Sequence, residues 1–218
     1  MGDATGGRRP LVAVLDYGIG NLRSAQKALE RVGADARLTA DHGLVRDADA
    51  VVLPGVGAFG ACMAALRGVG LEQVGLDAVE SGRPFLGICV GMQMLFDTSE
   101  EDPGARGLGV LAGAVRWIAD DVPRPQMQWN RLAVTAGHRS DPVLARLGAE
   151  PWMYFVHSFH GVPDDESIVA ATCQYGGTVN AAFRWRNVLA TQFHPEKSGR
   201  DGLALLEAFV GQVAAVAT

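Results

Sequence analysis

Cysteine is scarce in this 218-residue sequence. Cys62, Cys89 and Cys173 form an odd set without a C-x-x-C pair, which argues against a disulfide framework or a structural zinc site and fits reduced thiols in a cytoplasmic protein. Positive charge is not in excess either. Lys and Arg number 19 against 24 Asp and Glu, a net charge of −5, so the basic footprint of a nucleic-acid binder is missing. No apolar run reaches the roughly 18 residues needed to span a bilayer. The start, Met1–Arg9, lacks the apolar core of a signal peptide and reads as a disordered tail ahead of one domain over residues 10–218. Internal repeats, low-complexity linkers and H-x-x-x-H pairings are absent, so no metal or cofactor is expected.

What is present alternates. Leu11–Leu15 is a continuous apolar strand, and Tyr17-Gly18-Ile19-Gly20 turns the chain into a helix opening near Asn21, with Leu22, Ala25, Leu29 and Val32 at helical spacing before Gly33. Ala50–Leu53 is a second buried strand. Phe85–Cys89 is a third, passing directly into a helix expected over Val90–Phe96. Strands that are apolar throughout and alternate with helices predict a parallel sheet covered on both faces. The second half turns β-rich, with strands expected at Ala114–Ile118, Arg131–Thr135, Trp152–Val156, Ile168–Gln174, Val179–Trp185 and Val188–Gln192. A last helix, Gly202–Val216, turns Leu203, Leu206, Phe209, Val210 and Val213 toward the core.

Two segments carry chemistry. Gly87-Ile88-Cys89-Val90-Gly91 sets a cysteine between glycines where a strand becomes a helix, a sharp turn that pushes a nucleophile into a cleft. A helix start favours a thiolate, and the next amide, that of Val90, points the same way and can receive an oxyanion. Far along the chain, Val188–Phe193 reads as a strand that delivers His194-Pro195-Glu196 to its C-terminal edge. His194 there can take the thiol proton and Glu196 can orient the imidazole. Singly, Cys89 fits a small buried hydrophobe, His194 a capping histidine and Glu196 a solvated turn residue. Their conjunction is what suggests a triad.

With these residues in hand, the sequence resembles the class I glutamine amidotransferases. Within that class it is similar to the glutaminase subunits of imidazole glycerol phosphate synthases, through Asp16-Tyr17-Gly18-Ile19-Gly20-Asn21, Pro54-Gly55-Val56-Gly57-Ala58-Phe59, Tyr154-Phe155-Val156-His157-Ser158 and Phe193-His194-Pro195-Glu196-Lys197-Ser198. The resemblance implies an α/β three-layer sandwich, with a mostly parallel central sheet between helices and a small antiparallel addition. It implies a Cys89-His194-Glu196 triad and an oxyanion strand at Val56 and Gly57, whose Val56 peptide flips to complete the hole with Val90. Gln93 and Glu101, with backbone around His157, Ser158 and Phe159, would hold the α-amino and carboxylate end of glutamine. Tyr17, Asn21 and Lys197 would face a partner, a (β/α)8-barrel cyclase that takes the ammonia in histidine biosynthesis. One departure is Gln128, where the family pattern has glycine, and it puts the local backbone in question. The alternatives are the glutaminase of pyridoxal phosphate synthesis, a γ-glutamyl peptidase, or a binding module that has lost catalysis.

Overall fold

The structure, a computed structural model, describes residues 8–216. The first half runs β1 (Leu11–Leu15), α1 (Leu22–Arg31), β2 (Asp35–Thr39), α2 (His42–Asp47), β3 (Ala50–Gly55), α3 (Phe59–Gly68), α4 (Leu71–Glu80), β4 (Phe85–Cys89) and a single turn, α5 (Val90–Gln93). The second half adds β5 (Phe96–Ser99), β6 (Leu111–Trp117), β7 (Gln126–Arg131), β8 (Ala133–Val134), β9 (Trp152–His157), β10 (Phe159–Pro163), β11 (Val169–Gln174), β12 (Thr178–Trp185), β13 (Val188–Thr191) and α6 (Gly199–Val216). Of the expected tail, residues 1–7 lie outside the described residues. Arg8 and Arg9 are placed: Arg8 pairs with Asp49 at 2.7 Å and Arg9 donates to the Ala34 carbonyl at 2.6 Å.

The main sheet has the order β2-β1-β3-β4-β13-β12-β11-β8. Its first five strands are parallel and the last three join antiparallel. The chain steps one way from β1 to β2 and the other way from β2 to β3, β4 and β13. Because crossovers are right-handed, α1 lies on one face and α2, α3 and α4 on the other. The helix α6 packs on α1 and joins the first face. Two small sheets, β10-β6-β5 and antiparallel β7-β9, flank the main one. The central strands are fully buried, as their unbroken apolar runs require: Val12, Val14, Val51, Leu53, Leu86 and Leu189 have no exposed surface. Among the described residues, no helix is long and apolar enough to cross a membrane.

The structure corrects several boundaries. The helix expected over Val90–Phe96 stops at Gln93, and Phe96 opens β5. The carbonyls of Met94 and Leu95 are taken by the amides of Leu108, Val110 and Leu111, and the Phe96 ring meets Phe183 edge-on at 5.2 Å. Tertiary pairing thus overrides local helical preference. The stretch Arg131–Thr135 is split between the end of β7 and the two-residue β8. Gln128 occupies a regular strand position opposite Phe155, so the backbone there does not need glycine.

Candidate active site

Three adjacent strands, β3, β4 and β13, end at the same edge of the sheet, the edge where ligands bind in open α/β folds. Gly55 at the end of β3 is in register with Cys89 at the end of β4, and β13 runs on into His194. Topology therefore gathers three segments that lie far apart in sequence.

Cys89 sits at φ 55° and ψ −115°, one of two non-glycine residues with positive φ among the described residues. Such a conformation costs on the order of 1–3 kcal/mol and persists only where the surroundings enforce it. Here the enforcement is close packing of backbone on backbone. A Cβ on Gly91 would lie 1.9 Å from the Leu53 carbonyl oxygen, and one on Gly55 would lie 2.5 Å from the Gly91 amide nitrogen. The glycines around the cysteine thus let α5 press onto β3 and hold Cys89 at the strand end. Val90 supplies the first amide of α5, a position with no intrahelical acceptor.

His194 follows β13 and starts a short 3-10 turn through Pro195–Lys197. Its Nδ1 pairs with Glu196 Oε1 at 2.8 Å, both side chains nearly fully buried. Its carbonyl accepts from the Ser198 hydroxyl at 2.6 Å, which fixes the turn. Nε2 is left on the side of the Cys89 thiol, buried and without a closed hydrogen bond. Burial pulls the imidazole pKa down, but the neighbouring Cys89 sulfur and Glu196 carboxylate outweigh it and lift it to about 9. The ring therefore holds its proton at neutral pH with a carboxylate behind it, the arrangement of an oriented acid-base group.

A cavity of about 460 Å³ opens over these groups, lined by Asn21, Val56, Gly57, Cys89, Val90, Gln93, Glu101, His157, Ser158, Phe159, His194 and Lys197, with Pro125 and Val156. Every residue singled out from the sequence reaches it except Glu196, which stands behind His194, and Tyr17. Tyr17, expected to face a partner, is instead 3% exposed and donates its hydroxyl to the Pro54 carbonyl at 2.6 Å. At the end of β3 the hydroxyl also lies 3.9 Å from the Met94 sulfur, and the sequence carries no sign of that burial. The Val56 carbonyl accepts from the Cys62 thiol at 3.2 Å. Glu101 accepts the Phe59 amide at the start of α3 at 2.7 Å, which holds its carboxylate at the cavity rim.

His157 Nδ1 hydrogen-bonds the Phe159 carbonyl at 2.7 Å and must be the protonated nitrogen, because a carbonyl can only accept. Burial lowers the pKa of His157 to about 4, so the ring is neutral at pH 7 with Nε2 as a bare acceptor. Two surface residues escaped the sequence reading. Met127 and Trp129 on β7 are 63% and 46% exposed, on the strand that pairs with the His157-bearing β9. The sequence carries no signal of that exposure, because alternation of Met127 and Trp129 with polar neighbours ordinarily marks a buried face, whereas residues 127–129 are all exposed.

The glutamine amidotransferase class-I family matches residues 13–213. The chain belongs to the class I glutamine amidotransferases. Members of this family are glutaminases, and the chain is accordingly an enzyme. Its curated relatives include the imidazole glycerol phosphate synthase subunit HisH of Syntrophotalea carbinolica, 47% identical over 207 residues, covering 91% of this chain and 98% of the relative. The subunit of the same name from Methanothermobacter thermautotrophicus is 44% identical over 200 residues, 92% of this chain and 98% of the relative. Among solved structures, PurLQS from Thermotoga maritima superposes with a TM-score of 0.73 at 21% identity, covering 94% of this chain and 99% of that one. A second amidotransferase gives 0.72 at 23% identity, covering 94% of this chain and 98% of that one. These structural likenesses speak for the amidotransferase fold, and the sequence relatives narrow the branch.

Proposed function

We propose that this amidotransferase is the glutaminase subunit of an imidazole glycerol phosphate synthase, with Cys89, His194 and Glu196 as its triad. The observation that carries the reading is the convergence of the cysteine, the paired histidine and the glutamine-pocket residues on one cavity, in a chain whose relatives of that name match it nearly end to end. With the Cys89 thiol proton passed to His194 Nε2, the Sγ anion bonds to the side-chain carbonyl carbon of glutamine, and the C=O pair moves onto oxygen. The proton held on His194 passes to the amide nitrogen, the C–N bond breaks and ammonia leaves. Water then adds to the glutamyl thioester, giving His194 a proton that returns to sulfur as glutamate departs. Gln93, Glu101 and the backbone from His157 to Phe159 hold the amino-acid end of the substrate.

The amides of Val56 or Gly57 and of Val90 receive the oxyanion. A single missing donor of this kind costs on the order of 10² to 10³ in rate, so an unturned Val56 peptide acts as an off-switch until a partner docks. That partner is a (β/α)8-barrel cyclase that uses the ammonia to form imidazole glycerol phosphate and an aminoimidazole carboxamide ribotide. It would dock over Asn21 and Lys197 at the cavity mouth, with the exposed Met127 and Trp129 as apolar anchors. The test is glutamate release by the purified chain, alone and with the cyclase and its nucleotide substrate. A rise of about 100-fold or more is expected. A high rate that ignores the cyclase would make the chain a free-standing hydrolase instead.

A further inference from the structure

We infer that Gln192 is a further catalytic residue, donating a hydrogen bond from its side-chain amide to the Cys89 sulfur and linking that sulfur to the glutamine pocket. This rests on the reading of Cys89 as the nucleophile.

The orientation of the amide follows from its neighbours. The Phe159 carbonyl can only accept, and Gln93 Nε2 lies 3.4 Å from it, so the Gln93 amide presents its NH2 group to that carbonyl. The same Nε2 lies 3.1 Å from the Gln192 side chain, which must therefore present its oxygen. The Gln192 NH2 group is then turned to Cys89 Sγ, at 3.7 Å. A flip of Gln192 would set NH2 against NH2 at one end and oxygen against sulfur at the other. The residue is fully buried, and its own amide is pinned to the Ala181 carbonyl at 2.8 Å, so the side chain has one place to go.

The place of Gln192 explains why a glutamine can serve here. Gln192 and His194 lie two residues apart in the bend just past the end of β13, and both side chains come to the Cys89 sulfur. The same strand end thereby offers the sulfur an acid-base group and a fixed N–H donor. Hydrogen bonds to a charged group are about twice as strong as neutral ones, so a donor aimed at sulfur favours the charged nucleophile over the neutral thiol. Because Gln93 is the other end of the relay, glutamine seated against Gln93 bears directly on the amide that holds the sulfur.

Gln192→Met keeps the length and volume of the side chain and removes the donor, and Gln192→Leu removes the donor with a different shape. Iodoacetamide alkylation of Cys89, followed by peptide mass spectrometry from pH 5 to 10, reads the sulfur itself. Both variants are expected to be alkylated about tenfold or more slowly at neutral pH, with the midpoint of the profile moved up by about one pH unit. In the complex with the cyclase, kcat for glutamate release should fall by about tenfold or more, and the Met variant should fold with a lowered melting temperature, since Gln93 loses a buried acceptor. A role in packing alone predicts a Met variant with the wild-type alkylation profile and kcat, and that result would overturn the inference. Unfolding of both variants would also count against it, since it would make Gln192 a core residue. A wild-type protein without glutaminase activity sinks the nucleophile reading and this inference together. An active wild type with unchanged variants sinks the inference alone.

Discussion

Cys89→Ala is expected to lower glutamate release in the cyclase complex by roughly 10⁴-fold or more, because no other group on the cavity wall can form the thioester. Glutamine binding should survive, since Gln93, Glu101 and His157 are untouched. Synthesis driven by added ammonium salt should also survive, since ammonia enters after the cysteine has acted. Loss of glutamine-driven turnover with the ammonium-driven reaction intact separates a missing nucleophile from a damaged fold. The backbone adds a second readout. Because Cys89 sits at φ 55°, Cys89→Gly should be more stable than Cys89→Ala by about 1 kcal/mol, as glycine bears that conformation without strain. Glutamate release within tenfold of wild type in either variant would contradict the covalent route.

Gly91→Ala should have the largest effect on the fold. The new Cβ would stand 1.9 Å from the Leu53 carbonyl oxygen, a backbone atom of the central strand β3 that cannot swing aside. Separation of α5 from β3 would carry Cys89 away from Gly55 and open the core beneath. A loss of more than about 4 kcal/mol, or no soluble folded protein, is expected from such overpacking. Gly137→Ala is the control, because nothing lies within 4 Å of the added atom. Denaturant unfolding of the two variants checks the difference. A Gly91→Ala protein with wild-type stability would mean that α5 does not press on β3.

The sequence made the central strands plain for a physical reason. Leu11–Leu15 and Phe85–Cys89 are apolar from end to end because both faces of a parallel sheet are covered, and both boundaries were legible. The edge strand β2, Asp35–Thr39, carries Asp35 and Arg37 and does not stand out. The helices α3 and α4 did carry their signal. Phe59, Cys62, Met63 and Leu66 recur at helical spacing, as do Leu71, Val74, Ala78 and Val79. The glycine-rich stretch ahead of α3 hid where the first begins. The end of α5 was not legible, because Phe96 leaves the helix to meet Phe183, a contact made across the fold.

The candidate site divides the same way. Cys89, His194 and Glu196 stood out because their chemistry needs particular residue types at particular turns. Gln93 and Glu101 came only through family resemblance. Tyr17 was expected to face a partner and is buried, since a turn tyrosine reads the same in sequence whether it faces outward or hydrogen-bonds the end of β3. Gln192 gave no sequence signal, because its meaning lies in the direction of an amide fixed by Phe159 and Gln93.

The most direct test of the account follows the nitrogen itself. Glutamine labelled with ¹⁵N at the side-chain amide would be supplied to the chain, the cyclase and its nucleotide substrate, in the presence of excess unlabelled ammonium. An enzyme that passes ammonia from Cys89 to its partner within the complex puts ¹⁵N into the imidazole product with little dilution. Product carrying the isotope ratio of the bulk solution, or glutamate formed without any product, would contradict it.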